Sequence, residues 1–327
     1  MEVPLLAAPA VYPSSAQPKH KAAAAKVAVH GVVLLDKPIG ISSNAALQRV
    51  KHLFNACKAG HTGSLDPLAS GMLPLCFGEA TKLSHYLLEA DKTYQFVCQL
   101  GQRTTTGDAE GELVESQSIP SVSLAQVEQV LAGFLGPIEQ IPPMYSALKH
   151  QGKRLYELAR QGKEVERPPR LITIKQLSLL ALKADHIECR VCCSKGTYIR
   201  VLAEEIAAAL GTCGHLIALR RESVVPFSNN NMVELAQLEA LSQQNPNALF
   251  DHLLPVDTAL VDWPRLQLNT ACAKSVRAGQ AVVLEHGSAN ARIRGRVSLY
   301  GPDSQLIGLG EVLANGQLTL RRLVRPG

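Results

Sequence analysis

The chain has 327 residues, of which 46% are hydrophobic and 19% are charged, a composition typical of a folded globular protein with a sizeable core. This composition excludes an intrinsically disordered chain, and the longest apolar runs fall well short of the roughly 20 residues that a membrane-spanning helix needs. The formal net charge of +5 favours polyanionic partners only weakly.

The segment 1–30 is rich in Ala and Pro and shows no sustained helical or strand period. This pattern predicts a flexible tail. Its first residues lack the basic start and compact apolar run of a signal peptide, so we expect a cytoplasmic protein. The eight cysteines are scattered along the chain, which agrees with a reducing compartment.

The first predicted strand runs from residue 31 into the turn Asp36-Lys37-Pro38. Lys37 is then either an ordinary exposed turn residue or part of a site. The pair Ser42-Ser43 offers an N-cap for the amphipathic helix that follows.

A glycine-rich loop follows this helix, with the sequence Gly60-His61-Thr62-Gly63-Ser64-Leu65-Asp66-Pro67-Leu68-Ala69-Ser70-Gly71. Glycines let a backbone turn sharply and approach a ligand closely. Asp66 has two interpretations at this point. It is the N-cap of a helix that begins at Pro67, or it is a reactive carboxylate in a loop on a rigid scaffold. A helical stretch is predicted around 81–88.

Residues 93–100 alternate between apolar and polar side chains, as a strand requires. Tyr94 lies on the apolar face of this strand, so it is either a core residue or a site residue. Further along, Ser123 and Gln126 form a capping box that opens a helix.

Two more strands are predicted at 172–180 and 187–193, and the second contains a C-x-x-C pair, Cys189 and Cys192. Residues three apart in a strand point to opposite faces, so we expect buried structural thiols and no metal site.

The segment 194–200 leads into a helix predicted over 201–210. If 194–200 is extended, Tyr198 and Arg200 point to the same side. Arg200 could then hold a carboxylate with paired donors, or it could be an exposed side chain beside a half-buried Tyr198.

The segment 142–170 is strongly basic, with prolines at both ends, and is predicted to be a partly helical excursion from the main sheet. Its positive charges are accompanied by Tyr145 and Tyr156. Two interpretations remain open: a grip on nucleic acid or a solvated charged helix.

The last part of the chain changes character near residue 251. After a helix at 232–244, the sequence predicts one short helix at 266–279. Strands at 292–300, 305–313 and 317–324 are separated by turn residues and form a small β-rich module.

Several enzyme classes are excluded by missing motifs: no strand-linked G-x-G-x-x-G, no P-loop, no H-E-x-x-H and no G-x-S-x-G is present. What remains is a lone Asp in a glycine-rich loop, two tyrosines, one Arg and a basic excursion. Such a set suits a carboxylate that acts on a nucleobase stacked against an aromatic ring.

This set of motifs resembles the TruB family of bacterial tRNA pseudouridine-55 synthases. The resemblance covers about 31–227. It rests on the loop 60–71, on Ser194-Lys195-Gly196-Thr197-Tyr198-Ile199-Arg200, and on the supporting matches Leu35-Asp36-Lys37-Pro38, Pro143-Met144-Tyr145-Ser146-Ala147-Leu148-Lys149 and Leu219-Arg220-Arg221.

The resemblance implies an α+β pseudouridine synthase fold, with a mixed, mainly antiparallel sheet flanked by helices. The catalytic domain would span 31–250, with 142–170 as an inserted thumb, and 251–327 would form a PUA-like RNA-binding domain. The partner would be the T-arm of tRNA. We expect no metal and no organic cofactor, because uridine isomerisation is redox-neutral, and a monomer without an obligatory protein partner.

The resemblance also implies roles for individual residues. Asp66 would be the catalytic group and Arg200 would keep it ionised and oriented. Tyr94 would stack on the uracil, and Tyr198 would line the site and help to relay protons. The remaining residues would contact the RNA: Leu219 as an apolar wall, Lys37 near the pocket rim, His61 in the space left by the flipped uridine, and Lys149, Lys153 and Arg154 on the thumb.

Three rival interpretations remain. The first is a non-catalytic tRNA-binding or folding factor that keeps the pocket. The second, a guide-RNA-dependent synthase, lacks the support of a long basic tail. The third, an aspartate-based glycosidase, lacks an evident second carboxylate.

Overall fold

The computed structural model describes residues 25–228, 231–284 and 293–325. Val27 forms an isolated bridge with Ala56, and the side chain of Val29 is buried. The packed part of the chain therefore begins before Gly31, where the sequence placed the end of a tail. The rest of that predicted tail, 1–24, lies outside the described residues.

The strands before residue 251 form one large sheet and two small hairpins. In chain order they are β1 (Gly31–Lys37), β2 (Ala59–His61), β3 (Ser70–Phe77), β4 (Lys92–Leu100), β5 (Gln102–Thr104), β6 (Leu113–Ser116), β7 (Gly136–Gln140), β8 (Lys149–His150), β9 (Lys153–Arg154), β10 (Arg170–Leu182), β11 (His186–Cys193), β12 (Gly214–Val224) and β13 (Val233–Glu234). The hairpins are β5–β6 and β8–β9.

The large sheet has the order β13-β1-β3-β12-β4-β11-β10-β7, with β2 paired to β3. The β1–β13 and β3–β12 pairs are parallel, and the other pairs are antiparallel. The predicted mixed, mainly antiparallel sheet is confirmed.

The helices are α1 (Ser43–Leu53), α2 (Ser84–Glu89), α3 (Leu124–Ala132), α4 (Leu155–Ala159), α5 (Ile199–Ala209), α6 (Leu235–Gln244) and α7 (Thr270–Arg277), with short 3-10 helices at Gly78–Lys82, Pro246–His252 and Val256–Leu260. Ser42 caps α1, and Ser123 and Gln126 form the predicted capping box of α3. Within the described ranges, no helix is long and apolar enough to cross a membrane.

Helices pack against the sheet and bury separate apolar cores, two of which involve the longer helices. The helices α3 and α5 pack with the apolar face of β4, which carries Tyr94 and Phe96. The helices α1 and α6 pack with β1 and β3 through residues such as Leu35 and Leu75. The strand β4 therefore has the apolar face that its alternating sequence predicts.

Two central strands, β3 and β12, were not predicted from the sequence. Almost every residue of β3 is buried, so its sequence is a continuous apolar run without period-2 alternation. A run of this kind does not reveal its strand structure until its neighbours are known. These two strands lie side by side in the sheet, and their pairing places Arg221 beside Gly71.

The C-terminal module is a five-stranded sheet, formed by β14 (Arg265–Gln267), β15 (Val282–Val283), β16 (Gly295–Tyr300), β17 (Leu306–Val312) and β18 (Gln317–Leu323). The three strands predicted there are confirmed. The single helix predicted over 266–279 is wrong at its start, since β14 precedes α7. Leu254 pairs with Val32 of β1, so the segment just after residue 250 packs on the large sheet.

Candidate active site

The glycine-rich loop is held at both ends by strand pairing. The β2 residues, which include His61, pair with the end of β3, and the chain re-enters the sheet at Ser70. Residues 67 and 68 form a turn, in which the N–H of Ala69 donates to the carbonyl of Asp66 at 3.0 Å. No helix begins at Pro67, so the interpretation of Asp66 as a helix cap is wrong.

The start of α1 and the turn that precedes it fix this loop on both sides of Asp66. The Ser43 hydroxyl accepts from the N–H of Leu65 at 2.7 Å and donates to the carbonyl of the same residue at 3.0 Å. The N–H of Gly40 donates to the carbonyl of Pro67 at 2.8 Å. The Asp66 backbone is therefore bracketed by fixed hydrogen bonds, which preorganise its carboxylate.

Arg200 is the partner of Asp66. Its Nη2 atom lies 3.1 Å from Oδ2 of Asp66, and its side chain is only 5% exposed. The same guanidinium donates to the carbonyl of Thr106 at 2.9 Å and to that of Tyr145 at 2.7 Å. Arg200 thus joins the glycine-rich loop, the 101–111 loop and the segment that begins at residue 142.

The local structure around Arg200 differs from the extended segment that we expected. Tyr198 is the N-cap residue of α5, and Arg200 lies in the first turn of this helix. The N–H of Tyr198 donates to Oε1 of Gln140 at 2.7 Å, and Nε2 of Gln140 donates back to the Tyr198 carbonyl at 3.2 Å. Burial raises the pKa of Tyr198. The charge of Arg200 lowers this pKa, and the charge of Asp66 raises it.

Asp66 is an accessible carboxylate with a perturbed pKa. Its side chain is 44% exposed, so a ligand can reach it from solvent. Partial burial of the carboxylate raises its pKa, and the charge of Asp108 raises it further. The charges of Arg200 and Lys37 act in the opposite direction. Opposed shifts of this kind are characteristic of functional carboxylates.

Lys37 is fully buried, so the alternative of an ordinary exposed turn residue is excluded. Its Nζ atom donates to the carbonyls of Pro38 at 2.9 Å and Ile41 at 2.8 Å. Burial lowers the pKa of Lys37 to about 8, with the attraction of Asp66 opposing this shift and the charge of Arg221 adding to it. Lys37 is therefore a buried residue whose charge interacts with Asp66, and it does not lie on the protein surface.

Three further predicted residues lie around this centre. Tyr94 is 8% exposed and packs in the same core as Leu65, which precedes Asp66. Burial raises the pKa of Tyr94, and Arg221 opposes this rise. Leu219 is half-buried and packs against this core. The pKa of His61 is lowered by burial and by Arg221, and its Nδ1 atom is buried without a hydrogen-bond partner among the described residues.

The three predicted thumb residues, Lys149, Lys153 and Arg154, are exposed on the β8–β9 hairpin, where Lys149 pairs with Arg154. The Arg154 guanidinium also lies 6.0 Å from the ring of Tyr156, which is on α4. The structure thus gathers these three charges on one hairpin. Hydrogen bonding links the base of the thumb to the Asp66 centre through the Tyr145 carbonyl.

Asp108 and Arg221 were missed as site residues. Asp108 is buried, with its Oδ2 atom 3.6 Å from Nη1 of Arg200, and its Oδ1 atom accepts from the Thr106 hydroxyl at 2.6 Å. In the sequence it appears only as one more acidic residue in a turn-rich loop. Arg221 is part of a quoted motif, but nothing local to that motif indicates that its side chain is buried.

The cysteines do not form a metal site in the described part of the chain, where no group of three or more His, Cys, Asp and Glu side chains could hold an ion. Cys189 is buried and Cys192 faces the other side of β11, as the C-x-x-C spacing predicts. Burial raises the pKa of the Cys189 and Cys193 thiols to about 12, so both remain protonated.

Models of known protein families match most of the residues of the chain. The model for the N-terminal domain of TruB family pseudouridylate synthases matches residues 51–199. A model for the C-terminal domain of tRNA pseudouridylate synthase B matches 200–261, and one for the C-terminal part of pseudouridine synthase II TruB matches 264–324.

Similar proteins cover nearly the same length. The chain is 51% identical over 296 residues to a tRNA pseudouridine synthase B of Nitrosococcus oceani, covering 90% of this chain and 95% of that one. It is 48% identical over 298 residues to a protein of the same name from Coxiella burnetii, covering 91% and 95% of the two chains.

Among solved structures, a Cbf5–Nop10–Gar1 complex contains a chain with a TM-score of 0.70 and 24% identity, covering 91% of this chain and 85% of that one. At this level of identity, the likeness concerns the fold alone, and it confirms the expected pseudouridine synthase fold. Because the relatives about 50% identical extend over nine tenths of the sequence, the chain belongs to the TruB family of tRNA pseudouridine synthases, a family of isomerases.

Proposed function

We propose that this chain isomerises uridine to pseudouridine at position 55 in the T-loop of tRNA, with Asp66 as the catalytic group. In this reaction the N1–C1′ bond breaks, a C5–C1′ bond forms, the C5 proton passes to solvent, and N1 takes up a proton. The observation that carries the proposal is the Asp66 carboxylate, accessible from solvent yet held 3.1 Å from the buried Arg200. Sequence identity of about 50% to tRNA pseudouridine synthase B proteins supports it.

The target uridine has to leave the stacked T-loop before Asp66 can reach it, as in other enzymes that act on a base. Tyr94 would stack on the extruded uracil from the β4 side, and Leu219 would form an apolar wall beside it. His61, at the edge of the glycine-rich loop, would fill the space that the flipped base leaves in the RNA. Tyr198 would line the opposite side and help to relay protons.

Asp66 would attack the sugar or the base of the flipped nucleotide and release the uracil to turn and rejoin through C5. Ionised carboxylates act as nucleophiles, and Arg200 would keep this one ionised and correctly aimed through a charge-assisted hydrogen bond. Lys37 would also favour the ionised form of Asp66, because its charge lowers the pKa of that carboxylate.

The thumb would bind the T-arm through phosphate contacts. Lys149, Lys153 and Arg154 are exposed on a short hairpin, where ion pairs with RNA phosphates are sterically accessible. Because the isomerisation is redox-neutral, we propose that it requires no metal ion and no organic cofactor. The enzyme would act as a monomer in the cytoplasm.

The direct test uses an unmodified tRNA transcript labelled with tritium at uridine C5. Wild-type protein should release tritium, and a transcript with cytidine at position 55 should release none. The Asp66→Asn variant should release no tritium while binding the tRNA with unchanged affinity. Asp185→Asn, which changes an exposed carboxylate paired with His186, is the matched control and should behave as wild type.

Each negative outcome has its own meaning. Tritium release by Asp66→Asn at the wild-type rate would contradict the catalytic role of this carboxylate. Tight binding of tRNA by wild-type protein without any release would support a tRNA-binding or folding factor instead. Release that persists with cytidine at position 55 would contradict the proposed target.

A further inference from the structure

Arg221 is a buried cation that has no role in the proposed reaction as described above. Its side chain is among the largest that are fully buried, with 1% of the residue exposed. Its Nε atom donates to the carbonyl of Met72 at 2.6 Å, and Nη2 donates to the carbonyl of Gly63 at 3.1 Å. No ion pair joins it to a carboxylate among the described residues, and an unpaired buried charge is destabilising unless hydrogen bonds compensate for it.

The first group that Arg221 contacts is the loop that carries Asp66. Gly63 lies three residues before Asp66, and its backbone has a φ of +111°, which favours glycine. A Cβ atom at this position would lie 3.5 Å from Nη1 of Arg221, so the guanidinium packs directly against the loop. The Arg221 side chain therefore holds the loop backbone at Gly63, in addition to the buried bonds that Ser43 of α1 makes to Leu65.

The second group that Arg221 contacts is the side chain of Tyr94. Tyr94 on β4 and Arg221 on β12 are register partners in adjacent strands. The guanidinium opposes the rise in the pKa of the Tyr94 phenol through both its charge and a side-chain hydrogen bond. One side chain therefore contacts two groups that the proposed reaction needs in fixed positions: the ring under the uracil and the loop of the catalytic carboxylate.

The position of the Arg221 backbone also depends on Gly71, the last residue of the glycine-rich loop 60–71. Gly71 has a φ of +97°, and a Cβ atom on it would lie 2.2 Å from the carbonyl oxygen of Arg221. Any other residue at this position would push β12 away from β3. The close approach of these two strands is what brings the Arg221 guanidinium within reach of the loop.

We propose that Arg221 is a positioning residue for the isomerisation, which acts through Tyr94 and the Gly63 carbonyl rather than on the RNA. The proposal rests on the proposed function of the Asp66 site. At 1% exposure Arg221 cannot contact a substrate, so its effect has to pass through these neighbours. It differs in this respect from Arg200, which lies beside the reacting carboxylate.

The test compares Arg221→Lys with wild type in single-turnover tritium release, with enzyme in excess over the labelled tRNA and at a concentration well above the Kd. A lysine keeps the positive charge, but its single ammonium cannot reproduce the planar fork that serves Met72, Gly63 and Tyr94 together. We expect the rate constant to fall on the order of 10²-fold, as small misplacements of reacting groups do, with an unchanged Kd for tRNA. Arg190→Lys, at an exposed pair with Glu222, is the matched control.

A double-mutant cycle separates positioning from a merely structural role. Tyr94→Phe removes the hydroxyl that faces Arg221 and keeps the ring. If Arg221 acts in part through this hydroxyl, Arg221→Lys should slow the Tyr94→Phe enzyme by a smaller factor than it slows wild type. Rate losses that simply multiply would overturn the coupling to Tyr94.

Other outcomes also decide the matter. A folded Arg221→Lys protein with a wild-type rate would overturn the proposal. If the Arg221 variant does not fold, Tyr94→Phe alone tests the route through Tyr94, and a wild-type rate for that variant would overturn this part of the proposal. Failure of the proposed function is distinguishable, since wild-type protein would then release no tritium at all.

Discussion

Arg200 is shared by two carboxylates. Its Nη2 atom lies 3.1 Å from Oδ2 of Asp66, and its Nη1 atom lies 3.6 Å from Oδ2 of Asp108. The Asp108 side chain is 4% exposed and the Asp66 side chain is 44% exposed, so Asp108 holds the cation from inside while Asp66 faces solvent. The ionisation of Asp66 therefore depends on a buried neighbour as well as on its direct partner.

Asp108→Asn should shift the pH dependence of the reaction. The charge of Asp108 raises the pKa of Asp66, so its removal lowers that pKa, and the acid limb of the rate profile should move to lower pH. The plateau rate should fall about tenfold or more, because Arg200 loses its buried counter-ion and is held less firmly. Single-turnover tritium release between pH 5 and 8 measures both effects, and a limb that moves to higher pH would contradict them.

Asp66→Asn should stabilise the protein in a pH-dependent way. The folded-state pKa of Asp66 is raised, so the folded protein binds more protons than the unfolded chain between the two pKa values. Ionisation of Asp66 therefore lowers the free energy of unfolding as pH rises through this window. The Tm of the variant should exceed that of wild type at pH 7 by more than at pH 4. A variant that is less stable at pH 7 would indicate a structural role for the carboxylate.

Tyr94→Leu should impair turnover much more than stability. Tyr94 packs in the core, so its replacement by a smaller apolar side chain should lower the free energy of unfolding by about 1–2 kcal/mol. Loss of the stacking surface should lower the rate of tritium release on the order of 10²-fold. Denaturant unfolding and single-turnover kinetics on the same preparation give the two values. A stability loss of several kcal/mol with a near-normal rate would make Tyr94 a core residue only.

Neutralising the thumb hairpin should weaken tRNA binding and reduce its salt dependence. Replacing Lys149, Lys153 and Arg154 by Gln should make the slope of log Kd against log salt shallower, by about 0.7–0.9 for each RNA phosphate that the variant no longer neutralises. Replacing the exposed Lys175, Lys183 and Arg190 by Gln provides a control with the same change in net charge. An unchanged slope for the hairpin variant would show that these residues do not bind the RNA.

The sequence by itself determined the elements whose signals are local. The Ser42 cap of α1, the capping box of α3, the alternation of β4 and the last three strands all depend on residues within one or two turns or one hairpin of each other. The loop 60–71, the segment 194–200 and the three supporting motifs together were sufficient to identify the family. Contacts between distant parts of the chain were not needed for either result.

Only the tertiary structure decided how the site is held together. The local signal at Asp66-Pro67 favours a helix, but pairing of β2 with β3 and the hydrogen bonds from Ser43 keep this segment in a loop. Asp108 reaches Arg200 across 92 positions, and Arg221 reaches Gly63 across 158. The order of the strands decides which groups surround the buried Arg221, because β12, which carries it, lies between β3 and β4. That order is set by packing over the whole sheet and leaves no signal near any one of these residues.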